Sequence, residues 1–151
     1  MTIERSLVLV KPDGVQRGLS GRILGRLEER GLKLIGLKLI RISDALGRQH
    51  YAEHVDKPFF PGLLAYMTSG PVVVAAFEGP GAVGAIRNAM GATNPLEAGP
   101  GTVRGDYALE VGRNLVHGSD SVESGRREIA LFFSEDELLP WDRDTDRWIY
   151  E

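Results

Sequence analysis

The sequence predicts an α+β fold with a sheet of about four antiparallel strands and helices packed on it. Four apolar runs have the composition of strands, and segments with apolar residues at helical spacing separate them. The chain has 151 residues, of which 42% are hydrophobic, so it can bury one core without disulfides. We therefore expect a single domain over residues 1–151.

The first predicted strand covers residues 5–10 and is expected to end at Lys11, where a Pro-Asp-Gly turn follows. Ser20 is a candidate N-cap for the first helix. Gly31 can take the left-handed conformation that ends this helix. The Leu- and Ile-rich run over residues 32–42 then predicts the second strand.

The middle of the chain predicts two helices, a buried strand and a further helix. Ser43 is a candidate cap for a helix that reaches about His54, and Pro61 suits the first turn of the short helix that follows. Residues 71–77 contain the run Val-Val-Val-Ala-Ala-Phe, which predicts a buried third strand. A helix over about residues 81–90 should come next.

The last part of the chain begins with a glycine- and proline-rich loop over about residues 91–113, and loops of this length are usually functional. Residues 115–117 predict a short fourth strand, after which Asp120 or Ser121 can cap a last helix. The tail, about residues 134–151, is mostly polar. This order of elements fits a ferredoxin-like, or split βαβ, arrangement.

Charge and composition exclude several classes of protein. The formal net charge is −3, whereas proteins that bind nucleic-acid backbones are usually basic, so nucleic acid is not the expected main partner. No run approaches the roughly 20 apolar residues of a membrane span. Residues 1–10 also lack the features of a secretory signal. We expect a soluble, cytoplasmic protein without a membrane partner.

Residues 79–84 match the dinucleotide-binding pattern G-x-G-x-x-G between a predicted strand and a predicted helix. The nearest acidic residue downstream, Glu97, lies in the long loop instead of at a strand end. Pro80 also removes a backbone donor that a phosphate would use. A turn with tight helix packing is therefore the preferred interpretation.

Residues 50–54 match the H-x-x-E-H pattern of one class of zinc hydrolase. Two histidines four positions apart share one face of a helix, which suits a metal ion. A zinc hydrolase still needs a third ligand and a larger cleft. We therefore interpret His50 and His54 as surface or supporting residues of a helix.

Residues 114–120 place His117 at the end of a predicted strand, followed by Gly118 and by polar residues at a helix N-terminus. Ser119 and Asp120 are too close to His117 in sequence to form a serine-protease triad with it. Since the chain has no cysteine, a histidine is a suitable candidate for a covalent mechanism. A turn histidine satisfied by local hydrogen bonds is the alternative.

Eight segments in order along nearly the whole chain together resemble the nucleoside diphosphate kinase family. They are residues 7–14, 50–54, 57–60, 68–72, 91–95, 104–106, 114–120 and 127–133. The resemblance implies transfer of the terminal phosphate of a nucleoside triphosphate, typically ATP, to a nucleoside diphosphate. It also implies a ping-pong mechanism through a phosphohistidine, with low selectivity for the base.

The resemblance assigns catalytic roles to six residues. His117 matches the phosphate-accepting nucleophile, and a neutral imidazole suits this role near pH 7. Tyr51 and Glu128 would orient the histidine, and Ser119 could contact the same carboxylate or the leaving phosphate. Lys11 and Asn114 complete the six, and they would also bind the ribose hydroxyls.

The resemblance also assigns the nucleotide-binding residues. The phosphates would be held by Arg87, Thr93 and Arg104, and the arginine fork suits phosphate. The base would contact Phe59, Leu63 and Val111, and because every base has a π-face, stacking on Phe59 predicts weak base selectivity. From the residues alone, the arginines could equally be surface residues, and the apolar side chains ordinary core or rim residues.

Magnesium is the expected cofactor, carried by the nucleotide phosphates and water, because the sequence has no cluster of acidic ligands and thus no expected metal site of its own. The tail ending at Trp148-Ile149-Tyr150-Glu151 is similar to that of hexameric family members. We expect a homo-oligomer, with a hexamer favoured and a tetramer as the alternative. The alternative function is a module that binds nucleotides or single-stranded nucleic acid without turnover.

Overall fold

The computed structural model describes residues 2–151 and contains a four-stranded sheet in the order β2-β3-β1-β4. The strands are β1 (Ile3–Val10), β2 (Lys33–Ile40), β3 (Val72–Pro80) and β4 (Val116–Gly118). Each neighbouring pair is antiparallel. The predicted ferredoxin-like α+β fold with four antiparallel strands is therefore confirmed.

Helices connect the strands and cover the sheet. The α-helices are α1 (Pro12–Gln16), α2 (Ser20–Glu29), α3 (Asp44–His50), α4 (Phe60–Met67), α5 (Ala82–Met90), α6 (Val103–Tyr107) and α7 (Val122–Phe132). Short 3₁₀ helices cover Ala52–His54, Pro95–Glu97, Glu135–Glu137 and Asp146–Trp148. None of the helices described over residues 2–151 has the length and apolarity that crossing a membrane requires.

The central strand β1 separates two apolar cores. Val8 and Val10 point into a core that includes residues of α2 and α5. Leu7 and Leu9 point to the opposite face, into a core that includes residues of α4 and α7. Because side chains alternate along a strand, a strand covered on both faces is apolar throughout. The residues at the end of β1 therefore follow a strand that is packed on both faces.

Several predicted caps and turns are present. The Ser43 side chain accepts a hydrogen bond from the backbone of α3, and the Ser121 side chain does so for α7. Gly31 follows α2 with a positive φ of 109°. Pro61 lies in the first turn of α4. These positions confirm that local sequence determined the starts of α3 and α7 and the end of α2.

Other boundaries differ from the prediction. Helix α1 follows Lys11 directly, where only a turn was expected, because proline suits a first helical turn. Ser20 is the first residue of α2 and Leu19 is its N-cap. The long loop contains a 3₁₀ helix and α6, whose starts are capped by the side chains of Asn94 and Thr102.

The G-x-G-x-x-G segment forms the turn between β3 and α5. Gly81 adopts a left-handed conformation with φ of 62° as the N-cap of α5. The backbone N–H of Val83 donates to the Glu4 carboxylate at 3.1 Å. A carboxylate of the same chain thus occupies the helix N-terminus, and the interpretation as a turn is correct. The tight helix packing is not found, because a Cβ atom on Gly81 or Gly84 would meet nothing within 4 Å.

Candidate active site

Pairing of β1 with β4 brings the predicted ribose-binding residues together. His117 lies in β4 opposite Leu9 of β1, and Lys11 follows the end of β1. The Lys11 ammonium donates to Asn114 Oδ1 at 2.8 Å, and Asn114 Nδ2 donates to the carbonyl of Thr93 at 3.0 Å. The antiparallel register therefore joins residues about a hundred positions apart in one polar cluster beside His117.

Glu128 reaches His117 because α7 folds back over β1. The Oε1 atom of Glu128 lies 3.0 Å from His117 Nε2 and accepts a hydrogen bond from the Ser119 hydroxyl at 2.6 Å. The same hydroxyl oxygen accepts from the backbone N–H of Leu7 at 3.0 Å. Ser119 and Glu128 are both buried. The histidine is thus tied to β1 and α7 through one chain of hydrogen bonds.

The charge of Glu128 fixes the tautomer of His117. Burial opposes ionisation of this carboxyl, but hydrogen bonds and charge interactions with His117 and the Ser119 hydroxyl outweigh burial and lower the pKa of Glu128. An ionised carboxylate only accepts hydrogen bonds, so the ring proton of neutral His117 belongs on Nε2. The lone pair of the imidazole therefore lies on Nδ1.

His50 is buried, so of its two interpretations, as a surface or a supporting residue of the helix, the first is wrong. Its side chain is 1% exposed, and its ring packs edge-on against that of His117 at 4.8 Å. Neither ring nitrogen has a hydrogen-bond partner within residues 2–151. Burial, then the charge of His117, lowers the pKa of His50 to about 3. The reason for the difference is that α3 packs against α7, which turns His50 inward.

His54 does not share a helical face with His50. Helix α3 ends at His50, and His54 belongs to the following 3₁₀ helix. The Nδ1 atom of His54 lies 2.9 Å from the Lys57 ammonium. The H-x-x-E-H pattern therefore does not form the pair of metal ligands that a continuous helix would give.

Tyr51 lies beside both histidines. Its ring is 4.5 Å from that of His50, and its hydroxyl is buried without a hydrogen-bond partner in the part of the chain that the structure describes. Burial, then the negative charge of Glu128, raises the pKa of Tyr51. The hydroxyl is thus a neutral donor next to the site.

The charge of Lys11 is also adjusted by its surroundings. Burial is the main cause that lowers the pKa of Lys11 to about 8, and the positive charge of Arg104 adds to it, whereas Asp13 opposes both. Lys11 is therefore cationic at neutral pH and titrates closer to neutrality than an ordinary lysine.

Two cavities meet at His117. The larger one, of about 760 Å³, extends from His117 past Lys11 to the predicted base-binding residues Phe59, Leu63 and Val111. Phe59 and Val111 are each 54% exposed. The smaller cavity, of about 200 Å³, lies towards α7. The larger volume suits a ligand with a flat apolar part and a polar end near His117.

Two of the three predicted phosphate-binding residues line these cavities, whereas Arg104 lines neither of them. Arg87 borders the smaller one and Thr93 the larger one. The buried guanidinium of Arg104 donates to the carbonyls of Asn114, Gly91 and Val116 at 3.1, 3.1 and 2.7 Å. Burial, then the charge of Arg87, lowers the pKa of Arg104 to about 10. Through these hydrogen bonds, Arg104 links the long loop to β4.

Sequence reasoning missed a network around Leu115. This residue has a positive φ of 73°, which is uncommon for a leucine. The Asp13 carboxylate accepts from the backbone N–H of Leu115 at 3.2 Å and from the hydroxyl of Tyr66. The carbonyl of Leu115 accepts from the backbone N–H of Lys11 at 2.8 Å. The signal for this role in the sequence was the position of Asp13 in the Pro-Asp-Gly turn that follows Lys11.

Comparisons with known proteins show which family the chain resembles over its length. A family model described as nucleoside diphosphate kinase matches residues 4–138. A nucleoside diphosphate kinase from Carboxydothermus hydrogenoformans is 59% identical over 149 residues, which cover 99% of this chain and all of that protein. One from Archaeoglobus fulgidus is 55% identical, with 99% of each chain covered.

Two solved structures have the same fold. The structure of a halophilic nucleoside diphosphate kinase from Halobacterium salinarum in complex with CDP is 55% identical, with a TM-score of 0.97 over 99% of this chain and all of that one. A family protein from Babesia bovis is 47% identical, with a TM-score of 0.95 over 97% of this chain and 99% of that one. The chain therefore belongs to the nucleoside diphosphate kinase family and is an enzyme that transfers phosphate between nucleoside triphosphates and diphosphates by a ping-pong mechanism through a phosphohistidine.

Proposed function

We propose that His117 is the nucleophile that carries the phosphate in this chain. The observation that supports this most directly is the chain of hydrogen bonds from Ser119 through Glu128 to His117 Nε2, with distances of 2.6 and 3.0 Å. It leaves the lone pair of Nδ1 for the reaction. His117 also borders the large cavity, which has room for a nucleotide.

In the first half-reaction, Nδ1 forms a bond to the terminal phosphorus of the nucleoside triphosphate. The bond between that phosphorus and the bridging oxygen breaks, and its electron pair leaves with the nucleoside diphosphate. The ring then carries positive charge, which the Glu128 carboxylate stabilises. In the second half-reaction, a terminal oxygen of another nucleoside diphosphate attacks the phosphohistidine, and the same steps run in reverse.

Phosphoryl transfer depends mainly on positioning and on neutralising phosphate charge. We assign phosphate binding to Arg87, Thr93 and Arg104. To bind a phosphate oxygen, Arg104 would have to give up one of its hydrogen bonds to a backbone carbonyl. Lys11 and Asn114 would bind the ribose hydroxyls. Tyr51, whose buried hydroxyl is neutral, would help to orient His117.

The base would lie against Phe59, with Leu63 and Val111 on the other side of the cavity. The exposure of Phe59 and Val111, 54% each, supports this because an apolar side chain that faces an open cavity is available for stacking. No base-specific hydrogen bond is needed for such stacking. We therefore propose low selectivity among nucleobases.

The kinase activity implies a divalent metal ion, and we propose Mg²⁺. Mg²⁺ prefers oxygen ligands in octahedral geometry. In residues 2–151, the one group of histidine and acidic side chains close enough to share an ion is His50, His117 and Glu128, which offers two nitrogens and one carboxylate. The residues present thus do not form a Mg²⁺ site, and the ion is part of the nucleotide substrate, held by phosphates and water.

The proposal includes a homo-oligomer, with a hexamer favoured over a tetramer, and a cytoplasmic location for one domain spanning residues 1–151. Exposed apolar side chains support the oligomer, because removing them from water against another subunit is favourable. They include Leu37, Leu39, Leu96, Leu109 and Trp148, with exposures between 53% and 77%. Cell fractionation would test the location.

The role of His117 can be tested by brief incubation with γ-labelled ATP. The wild-type protein should take up label that is lost in acid and survives base, as a phosphoramidate does. His117→Ala should take up none. His54→Ala removes a histidine that lines both cavities but has no hydrogen bond to His117 or Glu128, and it should still take up acid-labile label. Acid-labile label that persisted in His117→Ala would overturn the assignment.

A further inference from the structure

Three potential metal ligands from three elements lie close together, and one of them is the proposed nucleophile. They are His50 at the end of α3, His117 in β4 and Glu128 in α7, with one donor atom of each within 4.8 Å of the others. Glu128 is 3.0 Å from His117 Nε2 and 4.0 Å from His50 Nδ1. Two imidazoles and one carboxylate are the protein ligands of one class of zinc site, in which water takes the fourth position.

His50 gives a second, independent indication of a ligand. Its side chain is 1% exposed, yet across residues 2–151 no group accepts from or donates to either ring nitrogen. A buried polar atom without a partner costs free energy, so such atoms need an explanation. An ion between His50 and Glu128 would supply the partner that this ring lacks.

We propose that His50, His117 and Glu128 bind a divalent transition-metal ion such as Zn²⁺, and that the bound ion inhibits phosphate transfer. The nitrogen ligands favour zinc over magnesium. Ligand atoms around tetrahedral zinc lie about 3.3–3.5 Å apart, as follows from zinc–ligand distances of about 2.0–2.2 Å. The donor atoms lie within 4.8 Å of one another, so the widest separation would have to close by about 1 Å.

The smaller cavity provides access to this site. It borders all three ligands and has a volume of about 200 Å³, which leaves room for water. Two cations oppose a metal ion here, because Arg127 lies 3.7 Å from Glu128 and Arg87 lines the cavity. We therefore expect reversible binding at micromolar Zn²⁺, weaker than that of a structural zinc site.

Inhibition follows from the tautomers of imidazole. A neutral ring has one N–H and one lone pair. When Zn²⁺ takes the lone pair of His117 Nε2, the ring proton must be on Nδ1, where it blocks attack on phosphorus. The proton moves from Nε2 to Nδ1 through solvent, so no net proton is lost. This consequence rests on the proposed role of His117, whereas metal binding itself rests on the geometry alone.

Binding can be measured on the full chain without nucleotide, so that zinc–nucleotide complexes do not interfere. Zn²⁺ is titrated against a chromophoric chelator with the wild type, His50→Gln and His54→Gln. We expect one ion per chain for the wild type and for His54→Gln, and binding weaker by about tenfold or more for His50→Gln. Equal binding by the wild type and His50→Gln would overturn the proposal, as would the absence of binding.

Nitrogen NMR of the wild-type histidines gives a test that needs no variant. The chain has three histidines, and Zn²⁺ should move the ring-nitrogen signals of His50 and His117 while those of His54 stay in place. Movement of His54 alone would contradict the site. In parallel, Zn²⁺ should prevent labelling from γ-labelled ATP, and a chelator should restore it. Zinc bound at these residues without loss of labelling would overturn the inhibitory role and leave the His117 test above unaffected.

Discussion

Lys11 shows how strongly the fold changes the chemistry of a single residue. Burial and the charge of Arg104 lower its pKa to about 8, so the ammonium loses its proton well before an ordinary lysine would. We predict that kcat/KM falls as pH rises through about 8, because free enzyme with neutral Lys11 binds the nucleotide less well. A pH profile at constant ionic strength measures this.

The control for this prediction is Lys11→Met, which keeps an unbranched side chain of similar length. Its kcat/KM should be low throughout and should lack the step near pH 8. A wild-type profile that stays level up to about pH 10, the range of an ordinary lysine, would contradict the prediction. So would the same step in Lys11→Met.

Glu128 is a second residue whose charge matters more than its shape. Glu128→Gln keeps the volume and an oxygen that can accept from Ser119, but it removes the negative charge beside His117. Hydrogen bonds to charged groups contribute about 1.5–3 kcal/mol, so phosphoenzyme formation should slow by about 10- to 100-fold. Rapid quenching with labelled ATP measures the rate.

Glu123→Gln is the matched control for Glu128→Gln. Glu123 is in the first turn of the same helix α7 and is exposed. This variant should form the phosphoenzyme at nearly the wild-type rate. Equal rates for Glu128→Gln and the wild type would show that the carboxylate charge does not assist the nucleophile.

At the residue scale, contiguous motifs identified candidate site residues but not their burial or backbone conformation. The segment around His117 and the residue Lys11 could be selected because their motifs are contiguous. The burial of His50 could not be predicted from the sequence, because it depends on the packing of α3 against α7. The positive φ of Leu115 is equally invisible, since it is maintained by contacts with Asp13 and Lys11 from another part of the chain.

At the scale of elements, the distance between α7 and β1 determines whether Glu128 can reach His117. A Cβ atom on Gly125 would lie 2.3 Å from the backbone oxygen of Arg5, so this glycine lets the helix approach the strand. Gly125→Ala should lower the free energy of unfolding by about 1–3 kcal/mol. It should also slow phosphoenzyme formation by displacing Glu128. Chemical denaturation and rapid quenching measure the two effects.

Gly84→Ala provides the matched control in another helix. Gly84 lies in α5, and a Cβ atom there meets nothing within 4 Å. Because alanine is the better helix former, this variant should be more stable by about 1 kcal/mol, with unchanged labelling. A stabilised and fully active Gly125→Ala would mean that the close approach of α7 is not required.

Element boundaries were predictable where one residue controls them. Ser43 and Ser121 cap their helices through their own side chains, and local sequence contains that information. The early end of α3 at His50 could not be predicted, because the change to a 3₁₀ helix depends on tertiary packing. The need for a glycine at position 125 could not be predicted either, because it comes from the close approach of β1 to α7.

At the scale of the whole molecule, the C-terminal tail is hydrogen-bonded to its own chain, but part of its apolar surface stays exposed to solvent. The Leu139 N–H donates to the carbonyl of Ile35 at 2.9 Å, and the Trp141 indole donates to that of Leu34 at 3.0 Å. Arg143 donates to the carbonyl of Gly31 at 2.9 Å. Trp148 remains 77% exposed at the end of this ordered segment. An exposed tryptophan in a segment that is hydrogen-bonded to its own chain is well suited to contact another subunit.

We therefore predict that the wild type is a homo-oligomer at micromolar concentration and that Trp148→Ala weakens the assembly. Removing a buried interface tryptophan typically costs more than about 2 kcal/mol. Light scattering coupled to size exclusion, over a dilution series, should show smaller species at higher concentration for Trp148→Ala than for the wild type. Trp148→Phe keeps an aromatic ring and should restore most of the assembly. A monomeric wild type would refute the oligomer, and identical dilution curves for the wild type and Trp148→Ala would exclude the tail from the interface.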